Sequence, residues 1–103
     1  QIQEFREKGF LLGKKILTNR EIDELRSELD RVIADESDES KQQPVQIANL
    51  SAKQEEPVWQ IINIWEASHA YYQLIKNETI VEEIAQLMDA KELRVWHDQI
   101  QWP

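Results

Sequence analysis

The chain carries two histidines, no cysteine and only two glycines, so few of its side chains suit chemistry. His97 and Asp98 attract attention first, because imidazole and carboxylate are common metal ligands. They are adjacent, however, and adjacent residues of a strand point to opposite faces, so the pair does not chelate one ion as a His-X-Asp pair does. His69 stands in a helical segment beside Ser68 and reads as a surface histidine. Ser27, Ser37, Ser40, Ser51 and Ser68 lack the Gly-X-Ser-X-Gly elbow of a serine nucleophile. Gly9 and Gly13 form no phosphate-cradling loop. Glu21, Asp23, Glu24, Glu28 and Asp30 fall on what reads as the solvated face of a helix. What survives is the alternate face Val95, His97, Gln99 and Gln101, polar through its last three members. Its plain reading is a solvent-exposed sheet face. Its functional reading is the polar wall of a barrel mouth, where a few hydrogen-bonding side chains orient a ligand in an otherwise apolar cavity.

The elements that must position this set follow from patterning. Residues 1–9 predict a short helix, with Ile2 and Phe5 three apart and Gly9 placed as its C-terminal cap. Phe10-Leu11-Leu12 predicts a brief buried strand. Thr18-Asn19-Arg20-Glu21 fits a capping box, and Ile22, Leu25, Leu29, Val32 and Ile33 then hold one helical face to about residue 35. Periodicity fails from Asp35 to Glu56, which predicts a polar, flexible surface loop over 36–56. Val58 to Trp65, rich in β-branched and aromatic residues, predicts a strand with Val58, Gln60, Ile62 and Ile64 on one side and Trp59, Ile61, Asn63 and Trp65 on the other. Ala67 to Lys76 reads as a helix that packs through Ala70, Tyr71, Leu74 and Ile75. Thr79-Ile80-Val81-Glu82 reads as a second capping box, opening a helix to about Met88 that buries Ile80, Ile84 and Leu87 or Met88. The final strand runs from Leu93 to Trp102.

Composition bounds the rest. One domain is the most that 103 residues supply, and its core is small. Twelve basic against 20 acidic residues leave a net charge of −8, which disfavours nucleic acid and anionic membrane surfaces as partners. The absence of cysteine removes disulfides and thiolate chemistry and fits a reducing, cytoplasmic setting. No apolar run reaches the length of a membrane span, and the chain opens without a signal-peptide pattern.

Taken in order, these segments resemble the N-terminal part of the phytanoyl-CoA dioxygenase family, a branch of the Fe(II)/2-oxoglutarate-dependent oxygenases. Phe5-X-X-X-Gly9-Phe10-Leu11-Leu12 resembles its opening helix and strand, and Ile22-X-X-Leu25-X-X-X-Leu29 the helix that follows. Trp59-Gln60-Ile61-Ile62-Asn63-Ile64-Trp65-Glu66 is similar to a strand of many members. Leu93-Arg94-Val95-Trp96-His97-Asp98-Gln99-Ile100 is similar to the strand before the metal motif. The resemblance implies an α+β chain: N-terminal helices and first strands of a double-stranded β-helix, spanning residues 1–103 as part of one domain. It implies a parent enzyme that binds Fe(II) and 2-oxoglutarate and hydroxylates a small-molecule substrate. The iron ligands are then expected beyond residue 103, with no metal or catalytic residue before it. By the same resemblance His97, Gln99 and Gln101 face the 2-oxoglutarate or substrate pocket. The lysine that follows this strand in many members is missing, since Trp102 leads directly to Pro103. The alternative reading is a non-catalytic relative or a small α+β interaction domain.

Overall fold

Helix α2 shows most directly how this sequence makes structure. It spans Asn19–Ala34, and the Thr18 hydroxyl accepts the Glu21 N–H at 3.1 Å while the Glu21 carboxylate accepts the Thr18 N–H at 2.9 Å. That reciprocal box satisfies two donors that a helix start otherwise leaves open. Apolar residues at helical spacing then turn Leu29 and Val32 into the core. A computed structural model describes residues 1–51 and 53–103. The other elements are α1 (Ile2–Lys8), β1 (Gln46–Asn49), β2 (Trp59–Ile62), a 3-10 turn (Ile64–Glu66), α3 (His69–Ile75), α4 (Glu78–Met88) and β3 (Gln99–Trp102). The fold is a mixed α+β arrangement around a three-stranded antiparallel sheet of order β1-β2-β3.

The sheet packs on the helices through one row of isoleucines. Ile47, Ile61 and Ile100 are directly opposite one another across the three strands. Ile61 is fully buried and joins Leu29, Val32, Ile64, Ala67 and Tyr71 in the core. Leu25, Ile33, Leu74 and the flanking isoleucines close around that cluster. This is a small core, and the chain is drawn out around it: the radius of gyration is 16.1 Å, where a compact domain of this length has about 13 Å. Large apolar side chains stay in solvent accordingly, among them Leu12 at 93% and Trp96 at 92% exposure.

The structure corrects several expectations. Gly9 does cap α1 in the left-handed conformation, its N–H donating to the Phe5 carbonyl at 2.7 Å. The Phe10–Leu12 segment after it is not a strand, and Phe10 and Leu12 are exposed. The 36–56 stretch is not loop throughout. Its first part is a set of turns tied by Gln43, whose amide donates to the carbonyls of Asp35 and Asp38, and β1 follows. The Asn49 side chain accepts the N–H groups of Ser51 and Val58, both at 3.0 Å, and so holds together the mouth of the β1–β2 connection. Helix α4 begins two residues earlier than its sequence suggests. Its cap is Asn77, which accepts the Ile80 N–H at 3.1 Å, and not Thr79. It buries no side chain fully: Ile80 and Leu87 are half-buried, Ile84 and Met88 exposed.

Strand β2 is shorter than expected for a reason visible in the backbone. Asn63 takes the left-handed conformation, φ 57° and ψ 51°, which ends the strand and starts the 3-10 turn. Asparagine tolerates that region better than most residues. The turn also breaks the alternation, so Ile64 joins Ile61 in the core rather than lying across the sheet from it. Strand β3 is short for the same cause: Gln99 pairs with Ile62, the last residue of β2, so residues 93–98 have no ladder to join.

Candidate functional site

The register of β3 decides where the polar set lies. Gln101 is opposite Gln60, and Gln99 opposite Ile62. On the far side of β2, Ala48 faces Gln60 and Gln46 faces Ile62. Alternation thus gathers Gln46, Gln60, Gln99 and Gln101 on the sheet face away from the isoleucine row. Gln99 and Gln101 are exposed, and Gln60 is half-buried. Each amide offers two donors and an acceptor oxygen, so this face suits a ligand with several polar oxygens. His97 precedes the ladder, is exposed and meets the Trp96 ring edge-on at 5.8 Å. The structure brings Gln99 and Gln101 together and leaves His97 outside the paired region.

Asp98 is the member of this segment with the strongest ties, although its sequence context gives no sign of them. Its carboxylate accepts the Ile64 N–H at 3.2 Å, its N–H donates to Asn63 Oδ1 at 3.2 Å, and its carbonyl accepts the Asn63 N–H at 3.1 Å. This three-bond clasp joins the end of β2 to the approach of β3. Burial pushes the Asp98 carboxyl above the usual carboxylate range, while the Ile64 and Asn63 N–H groups and the nearby His97 pull the other way. A carboxyl raised in the folded state contributes stability that is fully present below its unfolded value and lost as pH rises through the folded one. Asp98→Asn keeps an oxygen for Ile64 and does not titrate. We expect its melting temperature relative to the parent to climb as pH rises from about 3 to about 6 and then to level off. Thermal melts across that range check this, and a difference that falls with rising pH would contradict it.

A second polar group links α2 to α3. Arg31 donates to Glu28 through Nε at 2.7 Å and through Nη2 at 3.2 Å, and Nη2 also donates to the Ala67 carbonyl at 2.8 Å. The buried Ser68 hydroxyl donates to Glu28 Oε1 at 2.7 Å, and the Tyr71 hydroxyl to the Leu25 carbonyl at 2.8 Å. Arg31, and then Ser68, hold the Glu28 carboxyl below its usual range even though partial burial opposes them. The sign is opposite to that of Asp98: this contribution is present above the unfolded value and lost as pH falls through the depressed one. Burial pushes the Tyr71 hydroxyl up, and the negative charge of Glu28 adds to that. The Ser68 hydroxyl meets a carboxylate that Arg31 holds below its usual range and that is therefore a weak base, and the Tyr71 hydroxyl meets only a carbonyl, so neither is activated as a nucleophile. The group fastens helices.

Two cavities accompany these features. A groove of about 600 Å³ is lined by Ile75, Ile80, Val81, Ile84, Met88 and Leu93, with Lys76 and Arg94 beside them. A second, of about 350 Å³, is lined by Trp65, Glu66, Ser68, His69, Tyr72 and Gln42. Among the described residues, no three His, Asp or Glu side chains converge to hold a metal ion. These residues therefore do not fit an iron centre by themselves. No helix among the described residues is long and apolar enough to cross a membrane. No protein-family model, curated protein or solved structure matches the chain.

Proposed function

We propose that this chain is the N-terminal part of an Fe(II)/2-oxoglutarate-dependent oxygenase of the phytanoyl-CoA dioxygenase kind, contributing a wall of the co-substrate or substrate pocket rather than the metal. One observation carries the reading. The helical core packs against the Ile47–Ile61–Ile100 row, while the opposite sheet face presents Gln60, Gln99 and Gln101. A sheet braced on one side and polar on the other is what the inner wall of a double-stranded β-helix requires, with a second sheet to enclose the pocket. Helices α1 and α2 and strand β2 come in the order that the resemblance implies, although Phe10–Leu12 and residues 93–98 form no strand. Exposure of Phe10, Leu12, Met88 and Trp96 supports the reading too, since large apolar side chains left in solvent mark surface that other protein covers.

On this reading Fe(II) and 2-oxoglutarate belong to the full-length enzyme, their metal ligands supplied by residues after 103. When bound, the pair supplies the oxidising chemistry. The residues described above orient ligand oxygens and hold the wall rigid. The test is a thermal shift of the full-length polypeptide with Fe(II), with and without 2-oxoglutarate, because a ligand that binds only the folded state raises its melting temperature. The parent protein is expected to shift upward with 2-oxoglutarate. A Gln99→Ala, Gln101→Ala double variant is expected to bind about tenfold more weakly, the loss of one to two hydrogen bonds. No shift with any 2-oxo acid would leave the non-catalytic interaction domain as the better reading.

A further inference from the structure

From Glu92 to His97 the backbone belongs to no helix, turn or ladder, and among the described residues none of its N–H or C=O groups takes a backbone partner. The segment leads directly into β3, whose outer edge is also unpaired. Proteins commonly blunt such edges with lysine, proline or a bulge. Here Leu93, Val95 and Trp96 stand exposed instead. Leu93 and Val95, two apart as on one face of a strand, line the groove of about 600 Å³ together with Ile80, Val81, Ile84 and Met88 of α4. The charged residues of that lining are Lys76 and Arg94, both cationic. Lys76 Nζ lies 4.3 Å from the Tyr72 ring centre, and among the described residues neither cation forms an ion pair. Hollows elsewhere are walled by carboxylates, one by Glu21 and Glu24 and another by Glu66.

We propose that this groove and the open backbone beside it bind an extended peptide of another protein, apolar at alternate positions and bearing carboxylates. An added strand gains affinity from main-chain hydrogen bonds, and specificity from pockets that take every second side chain. The groove supplies the pockets, residues 92–97 the main-chain groups, and Lys76 and Arg94 the preference for acid. A second copy of this chain is a poorer occupant, because it brings the same two cations and a net charge of −8 against −8. The groove lies beside α4 and holds none of the glutamines of the sheet face, so the proposal is independent of the oxygenase reading.

The probe is a fluorescent eight-residue peptide with valine at alternate positions and two glutamates and two threonines between them. Anisotropy with the full-length polypeptide is expected to give a Kd on the order of 100 μM, and hydrogen exchange of residues 92–97 is expected to slow when the peptide is added. The same peptide with lysine for glutamate should bind about tenfold more weakly, and the exposed substitution Arg94→Glu should reverse that preference. Two adjacent backbone N-methyl groups in the peptide, which block both edges of a strand, should abolish binding. No binding at millimolar peptide overturns the proposal, as does a charge preference that Arg94→Glu leaves unmoved. Undiminished binding of the N-methylated peptide would mean a side-chain-only occupant such as a helix. Slow exchange of 92–97 without peptide, growing with protein concentration, would mean a second copy. Either result overturns it too.

Discussion

Replacing Ile61 with alanine is expected to lower stability by about 3 kcal/mol. Ile61 has no exposed surface and occupies the middle strand, between Ile47 and Ile100. Alanine at this site removes three carbons that touch both sheet neighbours and the core formed by α2 and α3. The space left cannot close easily, because each flanking strand is held in register against β2 by its ladder. With so few fully buried side chains, no other part of the core takes up the loss. Domains of this size have only about 5–15 kcal/mol in hand, so the variant should melt far below the parent. Ile61→Val, which removes one carbon, is expected to cost only about 1 kcal/mol. Denaturant unfolding of the three proteins checks the order, and equal midpoints for the alanine variant and the parent would show that this core is misassigned.

The second large effect is expected at Asn63. Asn63→Ala should cost about 2–3 kcal/mol from two sources that one substitution removes together. The first is backbone: φ of 57° is a conformation that alanine adopts at a penalty of about 1 kcal/mol or more. The second is the Oδ1 atom, which accepts the Asp98 N–H at 3.2 Å in a half-buried position. Asn63→Gly separates them. Glycine takes the left-handed conformation freely but has no side-chain acceptor, so it should retain about half of the stability that alanine loses. If Asn63→Ala and Asn63→Gly are equally destabilised, the backbone contribution is absent and the explanation of why β2 ends at Ile62 fails.

That ending also shows what is and is not legible in the residues. Helix α2 can be read because two independent signals coincide within it: the Thr18–Glu21 box marks its start, and the spacing of Leu25, Leu29 and Val32 marks its inner face. The Gly9 cap is legible for a similar local reason. The break at Asn63 depends on Asp98, which is 35 positions away, and no local pattern foretells a partner at that distance. Once the break is missed, Ile64 is assigned to the wrong face and β3 is drawn too long. Strand β1 hides because Gln46-Ile47-Ala48-Asn49 carries only one β-branched residue, and pairing with β2 supplies what propensity does not. Phe10–Leu12 misleads the other way: its apolar run has the composition of a strand, but it joins neither edge of the sheet. At the candidate site, alternation correctly groups Gln99 with Gln101. That Gln101 lies opposite Gln60, with Gln46 on the same face, is beyond reach until the register is known. The aromatic cavity is hidden because its rings come from the 3-10 turn and from α3, elements whose junction the sequence conceals.

The measurement that bears most directly on the central claim is succinate formation by the full-length polypeptide supplied with Fe(II), 2-oxoglutarate and oxygen. The expected result is slow 2-oxoglutarate-dependent succinate release even without the true substrate, abolished by a chelator and reduced in the Gln99→Ala, Gln101→Ala variant at sub-saturating 2-oxoglutarate. Succinate no higher than in a protein-free control, from a folded protein that retains bound iron, would contradict it.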